Sequence, residues 1–286
     1  MPADKLGTGK ERCFSLMKIG IFDSGIGGLS VLPTAARALP NAEFLYYADV
    51  KNVPYGEKTP EEILRFSLEA VKFLISEGAT AIVVACNTAT SVAVSKLRAI
   101  YEREDAEAPA IIIGMEPAVK RAIDLGRSGR IIMAATPVTV RGEKLSLLLE
   151  RYDKNSLTDS IPLPMLVRFA EREEFDSEAV ANYLRESLSC FELEKYCALV
   201  LGCTHFNYFK DSFRAIIPPN VALVDGVDGT VRRLVSRLGE PSAVVSSADL
   251  RPRVRFFESG EEVSSDQGIA RFWRFISRLE MMERID

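Results

Sequence analysis

Two short runs, AIVVAC at positions 81–86 and ALVLGC at positions 198–203, share a first alanine, a valine in third place and a terminal cysteine. Each is apolar throughout and then breaks into polar side chains: Asn87, Thr88 and Thr90 after the first, Thr204 and His205 after the second. Runs of this length, bounded by polar turns, read as buried strands. A chain that carries the same strand end twice is expected to fold as two halves of similar layout. Asp23 and Thr136, which follow apolar strands at comparable distances ahead of Cys86 and Cys203, extend the repeat. Open α/β sheets hold ligands beyond the carboxyl ends of their strands, so a crevice between the halves would bring both cysteines to one ligand.

The rest of the chain alternates in the same way. Apolar strands are predicted at 18–22, 43–48, 81–85, 110–113, 130–134, 198–201, 221–224 and 254–257, and helices near 29–39, 60–76, 96–104, 141–149, 177–188, 230–238 and 269–279. The helix at 60–76 is the clearest: Pro60 opens it, Glu61 and Glu62 follow, and Ile63, Phe66, Ala70 and Phe73 recur at helical spacing. The expected class is α/β, with two pseudo-symmetric domains of mostly parallel sheets flanked by helices and facing across a cleft. Pro218 and Pro219 suggest the division 17–110 plus 220–286 for one domain and 111–219 for the other, with 239–250 a loop and 1–16 a flexible extension.

At 286 residues, with 47% hydrophobic and 27% charged, the chain can bury a core and is near the size at which one core becomes two. Its net charge of −4 gives no broad attraction to nucleic acid or anionic lipid, which makes a small ligand the expected partner. The first 17 residues mix charges and lack the apolar stretch of a secretion signal. Residues 78–95 are uncharged, but Asn87, Thr88, Thr90, Ser91 and Ser95 crowd the second half, so no membrane span is expected. Five cysteines at 13, 86, 190, 197 and 203, with no CxxC pair, read as free thiols of a cytoplasmic protein.

Cys86 and Cys203 are the candidates for chemistry. Free cysteine is commonly a small buried hydrophobe, the reading given to Cys190 and Cys197, while Cys13 reads as incidental. Cys86 and Cys203 differ because each ends a strand at an expected helix start, where free backbone N–H groups stabilise a thiolate or a ligand carboxylate. DSGIGG at 23–28 matches neither GxGxxG nor GxxxxGK[ST], and a glycine turn beside a ligand carboxylate fits it as well. Asp49 with Pro54, Tyr55 and Gly56 forms another polar strand-end loop. His205, the sole histidine, is a plausible proton partner for Cys203; with Cys203 and an acid it would make only a poor metal site. A redox pair would require contact between the thiols, and a cysteine hydrolase would leave the second thiol without use. Inversion at a carbon centre uses both, one removing a proton from one face while the other delivers a proton to the opposite face.

At these residues the chain resembles the bacterial glutamate racemases, within the cofactor-independent aspartate and glutamate racemases. The matching blocks are IGIFDSGIGGLSVL from Ile19, YYADVKNVPYG from Tyr46, ACNTAT from Ala85, IIIGMEPAVK from Ile111 and LGCTHF from Leu201. The resemblance implies that Cys86 takes the α-proton of D-glutamate and Cys203 that of L-glutamate, with Asp23 assisting the first and His205 the second, and Glu171 near that histidine. It implies a substrate cradle of Ser24, Pro54, Tyr55, Gly56, Asn87, Thr88, Thr139 and Thr204. It further implies no metal or other cofactor, L- and D-glutamate as ligands, a homodimer, and D-glutamate supply for peptidoglycan. An aspartate racemase or a non-enzymatic two-lobed binding protein is the alternative. The chain departs from the family pattern at Asn207 and Arg168, where prolines are usual, at Leu163, where a cysteine is usual, and at Gly226, where serine is common.

Overall fold

The computed structural model describes residues 17–115, 118–239 and 250–285. The expected extension at 1–16, with Cys13, and nearly all of the expected loop at 239–250 lie outside the described residues. Among the described residues ten strands form two sheets: β1 Lys18–Asp23, β2 Glu43–Ala48, β3 Ala81–Val84, β4 Ile111–Gly114, β5 Arg130–Ala135, β6 Thr158–Pro162, β7 Tyr196–Leu201, β8 Ala222–Val224, β9 Val254–Glu258 and β10 Glu261–Glu262. The first sheet has the order β10-β9-β2-β1-β3-β4 and the second β6-β5-β7-β8. Every pairing is parallel except that of β9 with β10.

The repeat seen in the sequence is a repeat of topology. In each sheet the first four strands in chain order lie second, first, third, fourth, so β1, β2, β3 and β4 correspond to β5, β6, β7 and β8. Two strands therefore join the sheet opposite to the one expected. β4 pairs with β3 and closes the first half, although the sequence reading began the second half at 111; β8 pairs with β7 and closes the second, although that reading returned to the first domain at 220. The physical reason is the same in both cases. Away from the switch points, where β3 and β7 cross to the far side of β1 and β5, a strand that follows a helical crossover lies beside its predecessor, and nearby prolines do not change its neighbour. Helix Val227–Leu238 packs against β4 and helix Leu32–Ala38, and β9 pairs with β2, so the chain returns to the first sheet only after β8.

Alternation along the strands builds three apolar layers. β1 sends Ile19 and Ile21 to one face and Phe22 to the other, and β5 sends Ile132 and Ala134 to one face and Ile131, Met133 and Ala135 to the other. Ile19, Ile21, Phe44, Ile132, Ala134, Leu199 and Leu201 belong to one shared cluster, whereas the fully buried members of the clusters that hold Phe22 and Met133 come from one half each. Strands buried on both faces are what parallel sheets require.

Helix Pro60–Ser76 covers the outer face of the first sheet. Thr59 and Glu62 form a reciprocal capping box at its start, and Ile63, Phe66, Ala70 and Leu74 are buried. Helix Asp266–Met282, capped by Ser265, presents Phe272, Phe275, Ile276 and Leu279 to the shared core. Strand β6 and helix Pro164–Glu171 were not anticipated from the sequence; the strand carries the polar string TDSIP and the helix has only eight residues. Cys197 is buried as expected, but Cys190 is exposed, because it falls in the turn after helix Glu178–Leu188. Among the described residues no helix is long and apolar enough to cross a membrane.

Candidate active site

The order of each sheet reverses between its first and third strands, and the chemistry-bearing residues gather at the carboxyl ends there. Asp23 ends β1 and Cys86 follows β3; in the second half Thr136 follows β5 and Cys203 follows β7.

Cys86 is the N-cap of helix Asn87–Tyr101, and its Sγ accepts a hydrogen bond from the Ala89 amide at 3.4 Å. The Ser24 hydroxyl lies 3.5 Å from the same sulfur. Burial, reinforced by the negative charge of Asp23, pushes the thiol up to about 12, against the opposing pull of Ser24 and the Ala89 amide. Asp23 is fully buried; its Oδ2 accepts from the Gly25 amide at 3.0 Å and its Oδ1 from the Thr204 hydroxyl at 3.2 Å. Burial raises its carboxyl above the ordinary range although the nearby His205 opposes the shift.

Cys203 precedes a short 3-10 helix, Thr204–Phe209, and its Sγ lies 3.8 Å from His205 Nδ1. The other ring nitrogen, Nε2, is 2.7 Å from Glu171 Oε1, which also accepts the Ile26 amide at 2.9 Å. Burial disfavours the imidazolium, yet the hydrogen bonds to Cys203 and Glu171 outweigh it and hold His205 well above its usual pKa. Glu171 thus ties the second half's histidine to the glycine turn of the first half. That turn has room only for glycine: a Cβ on Gly25 would overlap the Glu171 carboxylate, and one on Gly27 would lie 2.7 Å from the His205 backbone nitrogen. The DSGIGG turn is therefore shaped by the close approach of the opposite half.

The remaining predicted residues surround this pair. The Thr88 hydroxyl meets that of Thr136 at 2.9 Å and that of Thr139 at 3.5 Å, a hydroxyl cluster drawn from both halves. Asn87 is 5% exposed, and its Oδ1 has no hydrogen-bond partner among the described residues, which leaves a buried acceptor free for a ligand donor. Tyr55 turns its ring into the core of the first half and donates from its hydroxyl to Asp49 Oδ2 at 2.6 Å. The Tyr55 hydroxyl is thus taken up by Asp49, and a Cβ on Gly56 would come 2.9 Å from Thr136 Cβ. Both thiols are nearly inaccessible, with Cys86 5% and Cys203 6% exposed. Among the described residues, no three His, Cys, Asp or Glu side chains are grouped to hold a metal ion.

Residues 29–234 match the model of the Asp/Glu/Hydantoin racemase family. A glutamate racemase of Campylobacter concisus is 55% identical over 271 residues, covering 94% of this chain and 100% of the relative. The chain belongs to the glutamate racemase family. Two solved members share its fold: the Francisella tularensis glutamate racemase in complex with D-glutamate, at 28% identity and a TM-score of 0.71, covers 93% of each chain. The Escherichia coli glutamate racemase in complex with L-glutamate and the activator UDP-MurNAc-ala, at 25% identity and a TM-score of 0.75, covers 93% of this chain and 96% of that one.

Three residues packed against these candidates were not among the site residues expected from the sequence. Thr136 stands where the topological repeat puts the equivalent of Asp23, the pairing that the sequence spacing also gives, but it was not expected to be a site residue. The Tyr46 hydroxyl donates to the Gly25 carbonyl at 2.7 Å and that of Tyr208 to the Ile26 carbonyl at 3.0 Å, fixing the glycine turn from behind. Neither tyrosine carries a local signal, because each reads as an ordinary aromatic of a buried segment.

Proposed function

We propose that this chain interconverts L- and D-glutamate by moving the α-proton between two thiols. With D-glutamate bound, the Cys86 thiolate takes the α-proton, and the Cys203 thiol delivers its own proton to the opposite face of the carbanion. The product is L-glutamate with a Cys86 thiol and a Cys203 thiolate, and the reverse reaction starts from that state. Asp23 serves the Cys86 side and His205, braced by Glu171, the Cys203 side. The balance of atoms is complete without a metal or another cofactor. The cradle is Ser24, Asn87, Thr88, Thr139, Thr204 and the backbone of Pro54, Tyr55 and Gly56, whose fixed dipoles offset the weak acidity of an amino-acid α-proton.

The observation that carries this reading is the pair of buried thiols at equivalent strand ends of two repeated halves. The same reading has the chain act as a homodimer in the cytoplasm, supplying D-glutamate for peptidoglycan. The test is incubation in D2O with each enantiomer of glutamate and, in parallel, of aspartate. Deuterium should enter Cα of glutamate with inversion; exchange into aspartate alone, or none into glutamate, would overturn the reading.

A further inference from the structure

Both thiols are nearly sealed from solvent, so a ligand reaches them only when the rim between the halves opens. Across the opening, Glu57 of the first half meets Arg168 of the second in a forked ion pair: Nη2 lies 2.6 Å from Oε2 and 2.8 Å from Oε1, and Nε lies 3.0 Å from Oε1. Glu57 is the last residue of the 3-10 turn Tyr55–Glu57, directly after the backbone assigned to the cradle. Arg168 lies on helix Pro164–Glu171, one turn before the residue that holds His205. A groove of about 1090 Å³ adjoins the Glu57 side of the pair, lined by Gly56, Glu57, Val138 and Arg141 among others but by neither Arg168 nor the thiols.

From this arrangement we infer that Glu57 and Arg168 form a cross-cleft latch, a positioning pair that holds the ligand loop closed against the second half and so sets substrate affinity. The inference rests on the racemase reading for its substrate, but the latch itself is a property of the protein without ligand. Two features support it. The planar guanidinium matches a carboxylate in two parallel bonds, which fixes direction as well as distance. Gly56, next to Glu57, already packs against Thr136 of the opposite half, so the ion pair closes a contact surface that is otherwise shaped to fit. With side-chain exposures of 42% for Arg168 and 39% for Glu57, the pair is weak enough to open at each turnover and accessible enough to be screened by salt.

The test compares the wild type with Arg168→Gln, Glu57→Gln and the exchanged double variant Glu57→Arg/Arg168→Glu, using initial rates in both directions at low and high potassium chloride. Each single variant should raise KM roughly two- to five-fold for both enantiomers, as expected for loss of a partly exposed pair, without lowering kcat. The exchanged variant should recover most of the loss, and added salt should raise KM for the wild type but not for the single variants. Unchanged KM in both single variants, a loss confined to kcat, or no recovery on exchange would overturn the latch. Amide hydrogen exchange at residues 50–58 without substrate separates this outcome from failure of the racemase reading. Exchange there should be faster in both single variants and slow again in the exchanged one, whatever the substrate proves to be; unaltered exchange in the single variants would overturn the latch on its own.

Discussion

At the scale of single residues, the two thiols are topologically equivalent but electrically different. Cys86 caps a long helix beside a buried carboxyl, whereas Cys203 faces an imidazole braced by Glu171. Replacing either by serine should lower turnover at least about 100-fold while the fold survives, because a hydroxyl is a far weaker acid than a thiol and positioned proton transfer contributes on this scale. Racemisation assays with circular dichroism of each variant check this; a double variant with full activity would sink the two-thiol mechanism. His205→Asn should lower kcat more from L-glutamate, and Asp23→Asn more from D-glutamate. The enantiomers have equal free energies in water, so the two kcat/KM values must stay equal in every variant and the asymmetry must be offset in KM. Equal effects on both kcat values would remove the directional roles. The raised Cys86 thiol also has a consequence for stability. Without ligand the folded protein keeps this proton up to about pH 12, and the thiolate forms only with substrate in place, whereas the unfolded chain loses it near 9.0, so the contribution is complete below pH 9 and is lost as pH rises through that window. Between pH 9 and 12 the stability advantage of the wild type over Cys86→Ser should shrink, by up to about 1.4 kcal/mol per pH unit. A constant or growing difference in denaturant titrations would contradict it.

At the scale of elements, what was legible was local. Strand β2 and helix Pro60–Ser76 have the predicted ends, because apolar runs, a proline and two acids mark them directly. Helix Pro164–Glu171 was not predicted, since eight residues give little more than two turns of periodicity, yet it carries both Glu171 and Arg168. The glycine turn was visible as DSGIGG, but its reason was not: the groups that crowd it, Glu171 and His205, are distant in sequence. Gly27→Ala tests that reason. Its new Cβ would lie 2.7 Å from both the His205 backbone nitrogen and the Thr204 hydroxyl, so the segment that follows Cys203 must shift. A displacement near 1 Å at a reacting group costs about 100-fold in rate. The expected result is a folded protein with activity lowered on that order; near-normal kinetics would show that the turn can yield.

At the scale of the molecule, the two halves were legible from the repeated strand end, but the way they are joined was not. Both faces of each sheet read as apolar, and alternation alone does not say which face meets the other half. In the structure the inner faces of both sheets and the long C-terminal helix contribute to one cluster, including Ile21, Tyr46, Ile132, Leu199, Phe272 and Phe275. Parting the halves completely would expose that cluster, at about 25 cal/mol per Å² of apolar surface, so neither half is stable with its inner face open to water. The motion that admits substrate must therefore be confined to the rim, where the Thr88 and Thr136 hydroxyls and the Glu57–Arg168 ion pair meet, while the shared core stays closed. Thermal unfolding should accordingly be one cooperative transition, with equal calorimetric and van't Hoff enthalpies, despite the two sheets. Differential scanning calorimetry at several scan rates checks this. Two resolved transitions, or a fragment of residues 118–225 that folds cooperatively by itself, would mean that each half has a sufficient core of its own and that the shared cluster is only a contact between finished domains.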